Sequence, residues 1–356
     1  MNRIRVIADC DIPFLRGVLE PFCDVLYVPG RSIDHEICKV ADALIIRTRT
    51  KCVSSLLEDT GVSFVATATI GTDHLDKNFL DRSGIAYANA PGCNACGVMQ
   101  YVHTALFAVA ARKKIDLRGK VLGVIGAGNT GERVARLWEY MGGTALRNDI
   151  DTALKARLVP KDELLADSDI ISCHVPLDSS TFRMVDASFM EKLKPGAILI
   201  NACRGEIFKD EDVLAYADRL SALILDVWNG EPCGIRRELL DAADIATPHI
   251  AGYSYEGKVN GTAMAVRSLA RYFGIGPLYD FMPDSEPCPE ISLPTYIGTM
   301  DEQAEFASTL LSVFPVTDLD MALRSDPAAF ESLRSGYVYR HEFAVPPTIS
   351  RPFDGK

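Results

Sequence analysis

Residues 120–149 read KVLGVIGAGNTGERVARLWEYMGGTALRND, and their reading decides the fold. Val121, Leu122, Val124 and Ile125 make a short apolar run, the pattern of a parallel strand buried on both faces. Gly126, Gly128 and Gly131 follow in G-x-G-x-x-G spacing, with Asn129 and Thr130 inside the turn. Val134, Ala135, Leu137, Trp138 and Met141 then suit the buried face of a helix. Gly142-Gly143 ends that helix, and Thr144-Ala145-Leu146 opens a second strand. Asp149 stands about 20 residues beyond the glycines, where a dinucleotide-binding unit places its ribose-binding acid.

Each residue type has a physical reason. Gly126 permits a tight turn, Gly128 lets backbone approach a pyrophosphate, and Gly131 lets helix pack on strand. The helix N-terminus offers unpaired N–H groups and a partial positive charge to phosphates. An ordinary strand-to-helix turn would explain the glycines, but not the strand and acid in register with them. Asp149 would accept from ribose hydroxyls and repel a 2′-phosphate. Arg147 lies upstream of it, and no Arg or Lys follows until Lys155, so NAD is expected rather than NADP.

Composition sets limits. A chain of 356 residues has room for two or three domains. A net charge of −11 argues against a nucleic-acid surface and requires a local cationic cluster for any anionic substrate. No apolar run reaches the roughly 18 residues of a membrane span, and the N-terminus MNRIRVIADCDIP lacks a signal-peptide core. Ten scattered cysteines suit a reducing, cytoplasmic location. Cys93 and Cys96 form a C-x-x-C with no second pair; a tight loop before a helix is favoured over a redox pair or metal half-site, and no metal is expected.

Upstream of the glycine turn, apolar runs at 5–8, 25–28, 43–46, 64–68 and 85–88 alternate with helical patterns, as in a parallel sheet covered by helices. Ligands of such sheets bind beyond the carboxyl ends of the strands. Two loops fall there: 47–51, Arg-Thr-Arg-Thr-Lys, and 67–71, Thr-Ala-Thr-Ile-Gly. On composition alone the first reads equally well as a solvated charge cluster. Residues 89–94 are a turn-rich joint, and an apolar helix at 95–111 enters the second domain. A helix at 255–273 returns to the first, and a Pro- and acid-rich linker covers 277–294. Residues 295–356 are too few for a large core of their own.

Downstream, three loops after successive strands each offer one ionisable residue: Arg204, Glu231 and His249. Parallel strands bring their carboxyl ends to one edge, so the three can meet. The set suits hydride transfer at a 2-hydroxy acid. An Arg fork holds a carboxylate and polarises a forming carbonyl. A His exchanges the hydroxyl proton, and a Glu steadies its ring and lifts its pKa. Each residue alone has a plainer reading as a loop or surface residue. His74 and His103 are competing bases, and His103, inside an apolar helix, reads as structural.

His174-Val-Pro-Leu177, Asn201-Ala-Cys-Arg-Gly205, 226–232 (DVWNGEP) and Pro248-His-Ile-Ala-Gly252 resemble the D-isomer-specific 2-hydroxyacid dehydrogenases. Residues 67–74 (TATIGTDH), 90–95 (APGCNA), 249–258 and the tail 330–342 resemble more narrowly the erythronate-4-phosphate dehydrogenase family of vitamin B6 biosynthesis. The resemblance implies an α/β protein: a Rossmann-type NAD-binding domain at 95–249 inserted in a flavodoxin-like substrate domain at 1–94 and 250–284. A small α+β dimerisation domain at 285–356 would complete it. It implies NAD-dependent oxidation of 4-phospho-D-erythronate to (R)-3-hydroxy-2-oxo-4-phosphooxybutanoate by hydride transfer from C2. Arg204 and Glu231 would be catalytic and His249 the acid/base, with Thr48, Thr69 and Tyr253 touching substrate. Asp149, Val175, Ala202, Cys203, Arg204, Asp226 and Gly252 would join Gly126, Gly128, Asn129, Thr130 and Gly131 in touching NAD. Arg47, nearest the strand end and beside Thr48, is favoured as the phosphate ligand over Arg340. Leu310, Leu311, Val313, Phe314, Phe330, Leu333 and Tyr337 would face a second copy in a homodimer. The chain departs from the family pattern at Thr48, where Ser is expected, at Val175, where Thr is, and at Gln100, where Glu is. Two alternatives stay open: 3-phosphoglycerate dehydrogenase, and a non-enzymatic NAD-sensing corepressor on the same fold.

Overall fold

A computed structural model describes residues 3–151 and 157–351. The chain forms two compact units, Met1–Asn94 with Tyr255–Pro287, and Ala95–Ser254 with Cys288–Lys356.

The first unit is a parallel sheet of β1 (Ile4–Asp9), β2 (Cys23–Val28), β3 (Ala43–Ile46), β4 (Phe64–Thr67) and β5 (Ala86–Ala88), in the order β2-β1-β3-β4-β5. That is the flavodoxin-like order, whose switch point lies between β1 and β3. The central strand shows why this sequence is a strand. Ala43 and Ile45 enter one apolar cluster with Val266 and Leu269 of the helix Tyr255–Phe273, while Leu44 and Ile46 enter another with Leu57 and Phe79. A period of two buried on both faces needs apolar residues throughout.

The second unit is a parallel sheet of β6 (Val121–Ile125), β7 (Thr144–Asn148), β8 (Ile170–Cys173), β9 (Ile198–Asn201), β10 (Ala222–Leu225) and β11 (Ile245–Ala246). Its order, β11-β10-β9-β8-β6-β7, is Rossmann-type, and the strand order reverses at β6. Outside β7, among the described residues, a single parallel bridge, Arg147↔Leu158, stands where the six-stranded prototype has its outer strand. The helix Ala95–Lys113 is apolar nearly all round and buried from Val98 to Ala110, so it lies inside the core with Leu122, Val124, Leu137 and Trp138.

The C-terminal segment differs from expectation. Among the described residues it holds the helices Met300–Val313, Val316–Ser325, Phe330–Ser335 and Pro347–Ser350 and no strand, with only the bridge Ser254↔Arg340. Its extended stretch is held by a side chain instead of a ladder. Gln100 Nε2 donates to Phe343 O at 2.8 Å and Oε1 accepts from Phe343 N at 3.0 Å, so one amide does the work of a partner strand. A Glu there could only accept, which gives the departure at Gln100 its reason.

Nor do the tail residues expected to face a second copy await a partner surface. Leu310 and Phe314 are buried in the core around Ala95–Lys113, and Phe330 in the core on the other face of the sheet. Leu311, Leu333 and Tyr337 pack partly buried against the same cores, and Val313 is half-buried. The segment is too small for a core of its own, and this chain's second unit supplies the missing surface. Phe314→Ala should therefore cost about 3–5 kcal/mol, read as a lower denaturant midpoint at unchanged slope. A chain stopped at Pro287 should lose cooperative unfolding of the second unit, not yield two intact domains.

Candidate active site

The glycine turn after β6 has the shape its sequence predicts. Gly126 has φ +88°, and a Cβ on it would lie 2.6 Å from His174 O. A Cβ on Gly131 would lie 2.1 Å from Gly126 O, so the helix Asn129–Tyr140 starts against the turn. Gly128 precedes that helix, has nothing within 4 Å of its Cβ position, and no side chain caps the helix. Open space in front of uncapped N–H groups fits a dinucleotide's pyrophosphate. Asn129 and Thr130, in the first turn of that helix, and Val175, in the loop after β8, are partly exposed.

Asp149 follows β7 and is partly exposed, its Oδ1 accepting from Asp151 N at 2.9 Å. Arg147 is buried and turned into Glu132 Oε2 at 2.7 Å and Glu139 Oε1 at 2.6 Å, which engages the cation two residues upstream of Asp149. Lys155 lies outside the described residues.

The loops after β9, β10 and β11 hold Arg204, Glu231 and His249. Asn201 braces the first: Nδ2 donates to Arg204 O at 2.9 Å, and Oδ1 accepts from Cys203 N at 3.1 Å. Ala202 is partly exposed and Cys203 nearly buried in the same loop. Gly205 lets it approach the next, since a Cβ there would lie 2.1 Å from the Trp228 carbonyl carbon. Glu231 Oε2 accepts from Trp228 N at 3.1 Å, and Oε1 is bonded to His249 Nδ1.

The backbone of His249 is left-handed, φ +56°, which costs a non-glycine residue about 1–3 kcal/mol. Asp226, wholly buried, enforces it. Asp226 Oδ1 accepts from Thr247 Oγ1 at 2.7 Å and Ile250 N at 2.8 Å, and Oδ2 from Ala251 N at 2.8 Å. The Asp226 carbonyl accepts from His249 N at 2.7 Å. Tyr101 OH meets Thr247 Oγ1 at 2.7 Å, tying the loop to the central helix. Gly252 and Tyr253 close the loop, both partly exposed.

Electrostatics sets the roles. Burial is the largest influence on His249 and lowers its pKa; Glu231 raises it, Arg334 and Arg204 lower it, and the net direction is down. The expectation of a lifted His249 pKa is thus reversed, because Glu231 is outweighed by burial and two guanidinium groups. For Glu231, burial opposes ionisation, but His249, Arg334 and the Trp228 amide bring its pKa below the ordinary value. Burial pushes Asp226 up to about 7 against its hydrogen bonds. A neutral His249 whose Nδ1–H donates to Glu231 leaves Nε2 as an acceptor for a hydroxyl proton.

The first unit holds the remaining candidates. Arg47 Nη1 donates to Asp11 O at 3.1 Å at the sheet's switch point, and Thr48 beside it is exposed. Thr69 Oγ1 meets Thr67 Oγ1 at 2.8 Å, and His74 Nε2 meets Thr67 Oγ1 at 3.0 Å, which engages that rival base. In the second unit His103 is buried, donates to Met99 O at 2.9 Å, and is lowered to about 4 by burial, as a structural histidine would be. Burial pushes the Cys96 thiol up to about 12, the opposite of a reactive redox cysteine. Arg340 lies over the Phe314 ring, 3.8 Å from its centroid, and donates to Gly97 O at 2.8 Å, so it serves the tail's packing. Sequence reasoning missed Arg334, whose Nε donates to Tyr253 OH at 3.1 Å; 81 positions separate the two and no spacing pattern links them.

A Rossmann-type sheet with this glycine turn and an Arg/Glu/His set at one edge defines an NAD-dependent dehydrogenase of the 2-hydroxy-acid class. Residues 97–251 match the family described as D-isomer specific 2-hydroxyacid dehydrogenase, NAD binding domain. An erythronate-4-phosphate dehydrogenase of Bacteroides fragilis is 39% identical over 349 residues, covering 95% of this chain and 97% of its own. One from Shewanella denitrificans is 37% identical over 358 residues, covering 96% and 94%. The chain belongs to the erythronate-4-phosphate dehydrogenase family. In fold it is also similar to the D-lactate dehydrogenase of Aquifex aeolicus, solved with NAD and lactic acid, at TM-score 0.66 and 23% identity over 80% of this chain and 100% of that one.

With His249 as the proposed base, alcohol oxidation needs its ring neutral, so kcat should rise with pH through the His249 pKa in the reactive complex. Glu231→Gln removes the contact that favours imidazolium and should move that inflection to lower pH. An inflection that stays put, measured over a full pH–rate profile, would show that Glu231 does not act on His249.

Proposed function

We propose that this chain oxidises 4-phospho-D-erythronate at C2 to (R)-3-hydroxy-2-oxo-4-phosphooxybutanoate, with NAD as the hydride acceptor, in the formation of pyridoxal 5′-phosphate. His249 Nε2 takes the hydroxyl proton. Glu231 fixes the ring's tautomer and balances the imidazolium charge, and Arg204 holds the carboxylate and polarises the forming carbonyl. Thr48, Thr69 and Tyr253 contact the substrate. NAD is held at the glycine turn, with Asp149 on the ribose and Val175, 202–204, Asp226 and Gly252 around the rest. The observation that supports this most directly is the Glu231–His249 contact on a loop that Asp226 holds in a left-handed conformation. An intact acid/base pair argues for turnover rather than NAD sensing alone. Turnover of 4-phosphoerythronate measured beside 3-phosphoglycerate is the test, and faster oxidation of 3-phosphoglycerate would reassign the substrate.

A cytoplasmic location and a homodimer belong to the same reading. Ten cysteines outside any disulfide support the first, and no single helix among the described residues is long and apolar enough to cross a membrane. Tyr296, Met321 and Val338, exposed on the C-terminal segment, support the second. Sedimentation as a monomer at micromolar concentration would exclude such a dimer.

Two variants examine the ligand assignments. Asp149→Ala should weaken NAD and narrow the gap in kcat/KM between NAD and NADP; equal wild-type kcat/KM for both would remove the basis for NAD preference. Arg47 is the proposed phosphate ligand, standing at the switch point of an acidic protein's first sheet. A charge-assisted contact is worth about 1.5–3 kcal/mol, so Arg47→Ala should lose roughly ten- to a hundredfold in kcat/KM for 4-phosphoerythronate and little for unphosphorylated erythronate. Equal losses on both would place the phosphate contact elsewhere.

A further inference from the structure

The C-terminal helix Phe330–Ser335 is fixed by Phe330, wholly buried in the core of the second unit. One turn later Arg334 projects among the reacting groups. Its Nε donates to Tyr253 OH at 3.1 Å, and its guanidinium carbon lies 5.6 Å from the centroid of the Tyr253 ring. Its Nη1 lies 3.7 Å from Glu231 Oε1, the oxygen bonded to His249. The Arg334 and Glu231 side chains keep only 20% and 18% of their exposure, so this is not a solvated surface pair. The Tyr337 and Tyr339 rings lie 6.4 Å and 6.1 Å from the Tyr253 ring and wall the same corner.

We propose that Arg334 is a positioning residue for the acid/base step, reaching from the C-terminal segment to hold Glu231 and the Tyr253 hydroxyl in place beside His249. The inference rests on the dehydrogenase reading above, in which His249 is the base. Three loops or helices present charge to the His249 ring: Glu231 from the loop after β10, Arg204 from the loop after β9, and Arg334 from the tail. Arg334 itself faces Tyr253, Glu231 and, on its own helix, Glu331. A cation sharing Glu231 with His249 weakens that carboxylate's support for imidazolium, so the base stays ready to accept a proton. The planar fork suits this double task, bonding a hydroxyl through Nε while Nη1 faces a carboxylate. The geometry also makes the C-terminal segment part of the reaction machinery, since the cluster is complete only with the tail docked.

The test uses the full chain with NAD and whichever phosphorylated 2-hydroxy acid the wild type oxidises. Arg334→Gln removes the charge and should move the acid-side inflection of kcat to higher pH by roughly one unit, as expected for one charge a few ångströms away. Arg334→Lys keeps the charge and should leave the inflection near its wild-type position. Its KM should rise severalfold, because a single ammonium cannot hold both Tyr253 and Glu231. Arg334→Met, which keeps the apolar stem, replaces Arg334→Gln should that variant not fold. NAD affinity should be unchanged in all of them. An unmoved inflection in a folded, charge-free variant, with only a lower melting temperature, would show that Arg334 merely holds the tail and would overturn the inference. Absence of wild-type turnover on every 2-hydroxy acid tried would instead sink the functional reading itself.

Discussion

The edge of the second unit that carries Glu231 and His249 depends on one buried carboxylate. Asp226 has no exposure, yet it accepts from a hydroxyl and two amides of the segment that follows β11, while its own carbonyl accepts the amide of His249. A buried carboxyl group without such partners would be destabilising whether charged or protonated, so the loop cannot relax without leaving its oxygens unsatisfied. That is what keeps His249 left-handed and its ring against Glu231. Thr247 passes the constraint on to Tyr101 in the central helix, so the position of His249 is set by the core.

Close backbone approach does the rest of the positioning. Gly126 against His174, Gly131 against Gly126 and Gly205 against Trp228 leave no room for a Cβ. The first two shape the turn before an uncapped helix. The third brings the Arg204 loop against the segment that ends in Glu231. Parallel strands deliver all these loops to one edge, so a few tight contacts suffice to order groups far apart in sequence.

The C-terminal segment is woven into the same unit. Gln100 substitutes for a strand partner at Phe343, Phe314 and Phe330 fill the two cores, and Ser254 Oγ donates to Glu342 Oε1 at 2.7 Å immediately after the reacting loop. Its presence alters the local field as well. Burial and two guanidinium groups outweigh Glu231 at His249, which turns a histidine expected to hold its proton more tightly into one that releases it more readily.

The sequence by itself determined the two parallel sheets, because strands buried on both faces must read as short apolar runs and glycines must stand where backbones touch. All five strands of the first sheet fall within one or two residues of their apolar runs, and the turn at Gly126, Gly128 and Gly131 has the geometry its spacing requires. That Arg204, Glu231 and His249 would meet was legible because each follows a strand, and strand ends share an edge. Tertiary structure alone decided what the tail does. Its apolar residues were visible, but nothing local says whether Phe314 and Phe330 meet a second copy or this chain's own core. Arg334 was invisible for the same reason: its 3.7 Å approach to Glu231 spans 103 positions of chain, and no periodicity encodes a contact made by docking. The sign of the His249 shift was likewise beyond the sequence, since it is a balance of burial against charges brought together only by the fold.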